Sequence, residues 1–278
     1  MKREAISWKG TEKVDINGQI WFPDGPAKAI IVLIHGFGEH TMRYDGFARF
    51  FTEQGFVIFA ADLPGHGRSG GKRGHISNMD RFLDFQDECL ARAKSAAPGI
   101  PVILYGQSMG GNLIAGYLLK RKPAVVAAVL SSPWLRLVVK PPALQVLLAK
   151  LVVNIFPGLT QSAKFDTRFL THDPAVVKAY NEDPLVHAMS SPVLFLGVKG
   201  QGEWIIQHAN ELSVPVLVMH GSEDKLTSSV ASVEFAKNAG QMATFKKWDN
   251  LFHELHFETN KEEILNFALN WMLEKIKA

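Results

Sequence analysis

Five stretches of this chain are apolar almost without interruption: Ala29–Ile34, Phe56–Ala61, Val102–Leu104, Val125–Leu130 and Val214–Met219. Each is far shorter than the ~20 residues a membrane-spanning helix needs. A strand wetted on one face alternates apolar and polar residues. A strand that does not alternate is covered on both faces, which is the condition of a central strand in a parallel sheet. Helix-like segments separate these runs: Tyr44–Gln54 ending at Gly55, Met79–Ala97 ending at Pro98-Gly99, and the segment after Ser108. Strand and helix in turn, with short connections, predict an α/β fold with a mostly parallel sheet and helices on both faces.

The remaining elements fit around that frame. Residues 4–8 and 14–22 read as a hairpin, followed by the turn Pro23-Asp24-Gly25-Pro26. Ser228–Ala239 and Asn260–Ile276 read as helices and Ala243–Trp248 as a last strand, giving eight strands with six central. The rhythm breaks after Ser132. Residues 133–205 are expected to form a cap inserted over the carboxyl edge of the sheet, with 1–132 and 206–278 as the core. Within the insertion, Asp173-Pro174 reads as N-cap and first residue of a short helix through Tyr180. Ala143–Phe156 reads as a helix apolar nearly all round. One stripe can cover a core, so the surplus calls for a second apolar partner: a lipid surface, or another subunit.

The chemistry centres on Gly106-Gln107-Ser108-Met109-Gly110, a G-x-S-x-G between an apolar run and a helix pattern. Strand, tight turn and helix are the setting of a nucleophile elbow. Side chains at Gly106 or Gly110 are expected to collide with the neighbouring strand or helix. A serine hydroxyl is a weak nucleophile until a base takes its proton and a third group orients that base. Asp224 and His253 each follow a predicted strand at the same sheet edge. The order Ser108, Asp224, His253 is that of α/β-hydrolases. His256 and Glu223 are the competitors for base and acid. Backbone N–H groups of Met109 and Phe37 are the expected donors to an oxyanion. His35, His66 and His220 are expected to bond loop backbone.

Other functions are excluded on residue grounds. His253 and His256 stand at i and i+3 where a helical zinc pair needs i and i+4, so no metal and no cofactor are expected. The loop Asp62–Gly71 is glycine-rich but lacks the Lys-Ser/Thr of a phosphate cradle. Net charge is +3 and the basic clusters are short and lack interleaved aromatics, a solvated face and no nucleic-acid surface. The single cysteine, Cys89, lies on the apolar side of a predicted helix and reads as a core residue. The N-terminus has no apolar signal region, so a cytoplasmic chain, at most peripheral to a membrane, is expected.

Taken together, these motifs resemble the monoacylglycerol lipase and lysophospholipase branch of the α/β-hydrolase superfamily. The matching residues are His35–His40 with Arg43-Tyr44, Asp62–Gly67, Gly106–Gly111, Tyr180–Leu185, Gly221–Asp224 and His253–His256. The resemblance implies a serine carboxylesterase that cleaves monoacylglycerols through an acyl-enzyme on Ser108. It also implies a polar head-group pocket formed by Glu39, Arg43, Tyr180 and His256. Two departures stand out: Gln107 where the family commonly has His, and Phe37 where a smaller residue is common and where the ring would narrow an acyl tunnel. Pro192–Gly202 is the stretch left without an assigned family counterpart. The expected partner is a small lipid ester, with membrane or micelle contact through the cap. A lysophospholipase, a short-chain or xenobiotic carboxylesterase, and a non-catalytic binding protein on the same fold are the alternative readings.

Overall fold

The computed structural model describes residues 1–277, the side chain of residue 12 aside. In chain order the elements are β1 (Lys2–Lys9), β2 (Asp15–Phe22), β3 (Ala29–Ile34), α1 (Asp45–Glu53), β4 (Phe56–Ala61), α2 (Asp80–Ala96), β5 (Val102–Gln107), α3 (Met109–Arg121) and β6 (Ala127–Ser131). Then follow α4 (Ala143–Ile155), β7 (Gln161–Ser162), α5 (Pro174–Glu182), β8 (Met189–Ser190) and α6 (Pro192–Gln207). The last elements are β9 (Val216–Gly221), α7 (Ser229–Ala239), β10 (Ala243–Trp248) and α8 (Lys261–Lys277).

Eight of the strands form one sheet in the order β1-β2-β4-β3-β5-β6-β9-β10. The hairpin β1–β2 pairs antiparallel with Trp8 opposite Ile16, and β2 joins β4 antiparallel; every later pairing is parallel. The expected mostly parallel eight-stranded sheet is therefore the one that forms. The uninterrupted apolar runs are its centre: every residue of β3, β4, β5, β6 and β9 is buried.

Side chains of a strand alternate between faces, so each run feeds two cores. Ile30, Val32 and Ile34 join the layer under α2 and α3, while Ala29, Ile31 and Leu33 join the layer under α1 and α8. In the second layer Phe51 of α1 is fully buried, with the rings of Phe47, Phe50 and Phe56 at 4.6, 5.0 and 5.9 Å.

Strand order also positions the site. The chain leaves β3 for β4 on one side and returns to β5 on the other. The carboxyl ends of β3 and β5 thus border the crevice where a reversal of strand order leaves room for a ligand.

The segment between β6 and β9 differs from the core in texture. Helix α4 has no buried residue, although it is apolar nearly all round. Helix α5 starts as its sequence predicts, with the Asp173 carboxylate accepting from Ala175 N at 2.9 Å. Helix α6 is not legible in the sequence: Gly197, Gly200 and Gly202 lower its helix propensity. It forms because Ser191 Oγ caps Leu194 N, Pro192 fits the first turn, and its glycines admit close neighbours. A Cβ at Gly202 would overlap the carbonyl of Leu135, and Leu194, Val198, Ile205 and Ile206 complete the core beside α3.

Truncation of Phe51 to Ala should cost about 3 to 5 kcal/mol of unfolding free energy by leaving a cavity among those rings. The measurement is a urea titration, in which the midpoint falls and the slope is kept.

Candidate active site

The turn between β5 and α3 is too tight for ordinary backbone. Ser108 has φ of 54° and ψ of −115°, a left-handed conformation rare in any residue with a Cβ. Three hydrogen bonds hold it there: Ser108 N donates to Ser131 O at 2.9 Å, and Ser108 O accepts from Trp134 N at 2.9 Å and Asn112 N at 3.2 Å. The flanking glycines are steric necessities. A Cβ on Gly110 would overlap the carbonyl of Ile34, and one on Gly106 would press on the carbonyl of Gly110. Strain of this kind persists only where the surroundings over-determine it, and it projects the serine side chain off the sheet edge.

Asp224 and His253 arrive from the ends of β9 and β10. His253 Nδ1 donates to Asp224 Oδ2 at 2.7 Å, leaving Nε2 as the ring's free edge. The carboxylate is heavily supported: Oδ1 accepts from Leu226 N at 2.7 Å and Thr227 N at 3.0 Å, and Oδ2 also accepts from Thr227 Oγ1 at 2.9 Å. Burial opposes its charge, but His253 and His220 outweigh burial and hold the Asp224 carboxyl well below the usual carboxylate range. Burial likewise opposes a charge on His253. The Asp224 carboxylate and its hydrogen bond, helped by Glu254 and Glu39, outweigh it and raise the imidazole above its ordinary value of 6.5.

Ser108 and His253 share the wall of one cavity of about 660 Å³. Phe37 and Gln107 stand beside them, and Trp134, Leu170 and Phe195 supply apolar wall. From α4 come Gln145, Leu148, Ala149 and Val152, one helical face at i, i+3, i+4 and i+7. Phe37 is packed edge-on against His66, Trp134 and His187. Among the described residues neither Phe37 N nor Met109 N has a hydrogen-bond acceptor in the protein. The Gln107 side chain donates to the carbonyl of His253 at 3.1 Å, which ties the serine turn to the histidine loop.

Glu39 and Tyr180 also line the cavity; Arg43 and His256 do not. Arg43 lies behind the wall, bidentate to Glu254 at 2.7 Å on both arms and bonded to Glu39 at 2.5 Å. Glu39 in turn accepts from Gly36 N at 2.6 Å and from Tyr44 Oη at 2.8 Å, which anchors the loop carrying Phe37. His256 is buried and stacked on Tyr44 at 4.8 Å, and neither of its ring nitrogens has a hydrogen-bond partner among the described residues. Burial pushes its pKa down to about 3, so it stays neutral. Glu223 faces solvent and pairs with Lys225 at 2.7 Å. Neither competitor for base or acid touches the pair formed by Asp224 and His253.

Three histidines are expected to bond loop backbone. His35 accepts from Leu63 N and donates to Gly36 O, and His66 bonds Pro64 O. His220 differs: its Nε2 reaches Asp224 Oδ2 as well as the carbonyl of Thr227, both at 3.1 Å. Sequence reasoning also missed Glu254 and Thr227. Glu254 stands 211 positions from Arg43 and carried no signal beyond its place next to His253. Among the described residues no group of His, Cys, Asp and Glu is arranged to hold a metal ion.

Comparison with known proteins places the chain in a family. A family model described as "Serine aminopeptidase, S33" (Hydrolase_4) matches residues 25–260. The chain is 31% identical over 276 residues to a monoacylglycerol lipase of Mycolicibacterium smegmatis, covering 99% of this chain and 98% of that one. It is 32% identical over 271 residues to an uncharacterized abhydrolase domain-containing protein of Dictyostelium discoideum, covering 96% of this chain but only 28% of that longer protein. A crystal structure of a Paleococcus ferrophilus monoacylglycerol lipase superposes with a TM-score of 0.84 at 29% identity, covering 99% of this chain and 100% of the other.

Replacing Asp224 with Asn should leave burial to dominate at His253. The imidazole midpoint, followed by NMR, is expected above 6.5 in the unaltered protein and below 6.5 in the variant.

Proposed function

We infer that this chain, which belongs to the Serine aminopeptidase, S33 (Hydrolase_4) family, is a serine carboxylesterase that hydrolyses monoacylglycerols to fatty acid and glycerol. The observation that carries the reading is the shared cavity wall: Ser108 and a histidine held by a buried carboxylate open together into an apolar chamber. The relatives named as monoacylglycerol lipases support the substrate class.

The proposed reaction follows from the groups present. Ser108 Oγ attacks the ester carbonyl while His253 Nε2 takes its proton, and Asp224 stabilises the imidazolium. The amides of Phe37 and Met109 receive the negative charge on the carbonyl oxygen. His253 returns the proton to the departing glycerol oxygen, leaving an acyl-serine. Water, deprotonated by the same histidine, then releases the fatty acid. Glu39 and Tyr180 are placed to meet the glycerol hydroxyls. Arg43 pairs with both Glu39 and Glu254 and holds them in place, and His256 backs the Tyr44 ring behind them.

Within residues 133–205, the part before α6 is proposed as the lid, with α4 as its contact with lipid. Leu144, Leu147, Leu151 and Ile155 lie on a second face of α4 and are 54% to 67% exposed. A helix apolar towards both cavity and solvent fits the extraction of a chain from a lipid surface. The chain's transfer carries about 0.8 kcal/mol per CH₂, so the enzyme must offer comparable apolar contact. Among the described residues no helix is long and apolar enough to cross a membrane. The exposed lysines Lys140 and Lys164 also line the cavity. They favour lysophospholipid as the second substrate to examine, since a phosphate would meet cations there.

Ser108→Ala should reduce monoacylglycerol turnover by about 10⁴-fold or more with an unchanged melting temperature. Near-normal turnover in that variant would refute the assignment. A series of acyl lengths beside a lysophospholipid and an acetate ester should peak on a long monoacylglycerol; a peak at acetate would make it a short-chain esterase. Leu147→Asp with Leu151→Asp should weaken partition into lipid vesicles by at least about tenfold, since each buried leucine contributes roughly 1.5 to 3 kcal/mol. Hydrolysis of a dispersed short ester should stay within about twofold of normal, a bound that separates surface binding from chemistry.

A further inference from the structure

One oxygen of Asp224 serves two imidazoles. His220, the penultimate residue of β9, is completely buried with its Nε2 at 3.1 Å from Asp224 Oδ2 and 3.1 Å from the carbonyl of Thr227. Both of those oxygens only accept hydrogen bonds, so Nε2 carries a proton. The other ring nitrogen, Nδ1, lies 2.8 Å from Ser232 Oγ on α7, which orients the ring. The Thr227 hydroxyl also reaches Oδ2, at 2.9 Å, but it has one proton and a second acceptor in the carbonyl of Ser132 at 3.1 Å. His220 therefore supplies Oδ2 with a ring N–H besides that of His253.

We propose that His220 is a positioning residue for the Ser108 site: it holds the Asp224 carboxylate in its orientation towards His253 and divides Oδ2 with that ring, which sets how strong a base His253 is. A donor on a carboxylate spreads its charge and weakens the field it exerts on a neighbouring imidazolium. Without His220, all of Oδ2 would act on His253, whose pKa would rise, while Asp224 would lose a restraint on its rotamer. The other charged and titratable groups around His253 are Glu254, Glu39 and His256, with Arg43 bonded to both acids. None of them touches His220. The proposal rests on the reading of Ser108, His253 and Asp224 as the reacting set.

Two polar replacements test it in the full-length chain. In His220→Gln the side-chain amide reaches the Nε2 position and keeps a donor on Asp224. In His220→Asn the shorter amide reaches only the Nδ1 position and keeps Ser232. The readout is kcat and KM against pH on a dispersed monoacyl ester. His220→Asn should move the acid limb of kcat/KM upward by roughly 0.5 to 1 pH unit. It should also lower plateau kcat about tenfold, with KM within about twofold. His220→Gln should return both towards the unaltered enzyme. Two results would overturn the proposal: acid limbs of both variants coinciding with the unaltered enzyme, or equal losses of kcat with no movement of the limb, the mark of a merely structural histidine. Ser108→Ala in the same assay separates the two questions, since turnover surviving there would fault the reacting set and not the role of His220.

Discussion

The backbone at Ser108 is the constraint on which the site depends. A residue with a side chain is forced to positive φ because β5 must end and α3 begin within one residue, against the carbonyls of Ile34 and Gly110. Nothing larger than glycine fits at Gly106 or Gly110. The strain is held by hydrogen bonds to Ser131, Asn112 and Trp134, so it is shared among β6, α3 and the start of the segment that follows β6. The sheet supplies the rigidity: five central strands with every residue buried cannot shift singly without opening one of two packed layers.

Around that turn the protein concentrates buried charge. Arg43 with Glu39 and Glu254, and Asp224 with His253 and His220, are two ionic clusters within one sheet edge. Taking charges out of water costs several kcal/mol per ion, and hydrophobic residues of similar volume would often be at least as stable. Their geometry is the reason to have them. Glu39 fixes Gly36 N and with it the loop of Phe37; Arg43 fixes Glu254 next to His253; Asp224 fixes the tautomer of His253. The segment between β6 and β9 is fastened to the same parts. His187 N bonds Gly38 O at 2.9 Å, His40 bonds Asp183 at 2.9 Å, and Glu254 N bonds Leu170 O at 2.7 Å. That segment and the histidine loop are thus one connected structure.

Much of the frame was legible because it is written in local patterns. An apolar run on both faces marks a central strand, and β3 and β4 fall on their expected residues. Period 3.6 marks the helices, and Asp173-Pro174 marks a helix start. Where local signals conflict, legibility fails. Helix α6 contains three glycines, each poor in a helix, and is stable only because Gly202 lets Leu135 approach and its apolar residues find the core. Both the face of α4 that lines the cavity and the face left open are mostly apolar, so their assignment needed the neighbours.

By itself the sequence determined a two-faced sheet, a strained serine turn, and an acid and a histidine at strand ends in the order Ser108, Asp224, His253. These follow from residue type and spacing within a few positions of each group. Tertiary structure alone decided which side chains meet. It put His253 and not His256 on Asp224, added His220 to the same oxygen, joined Arg43 to Glu254 across 211 residues, and left His256 stacked behind the cavity wall. Such pairings depend on strand order and on how loops from distant strands pack at one edge. The whole fold sets both, through burial, and no short stretch of chain encodes either.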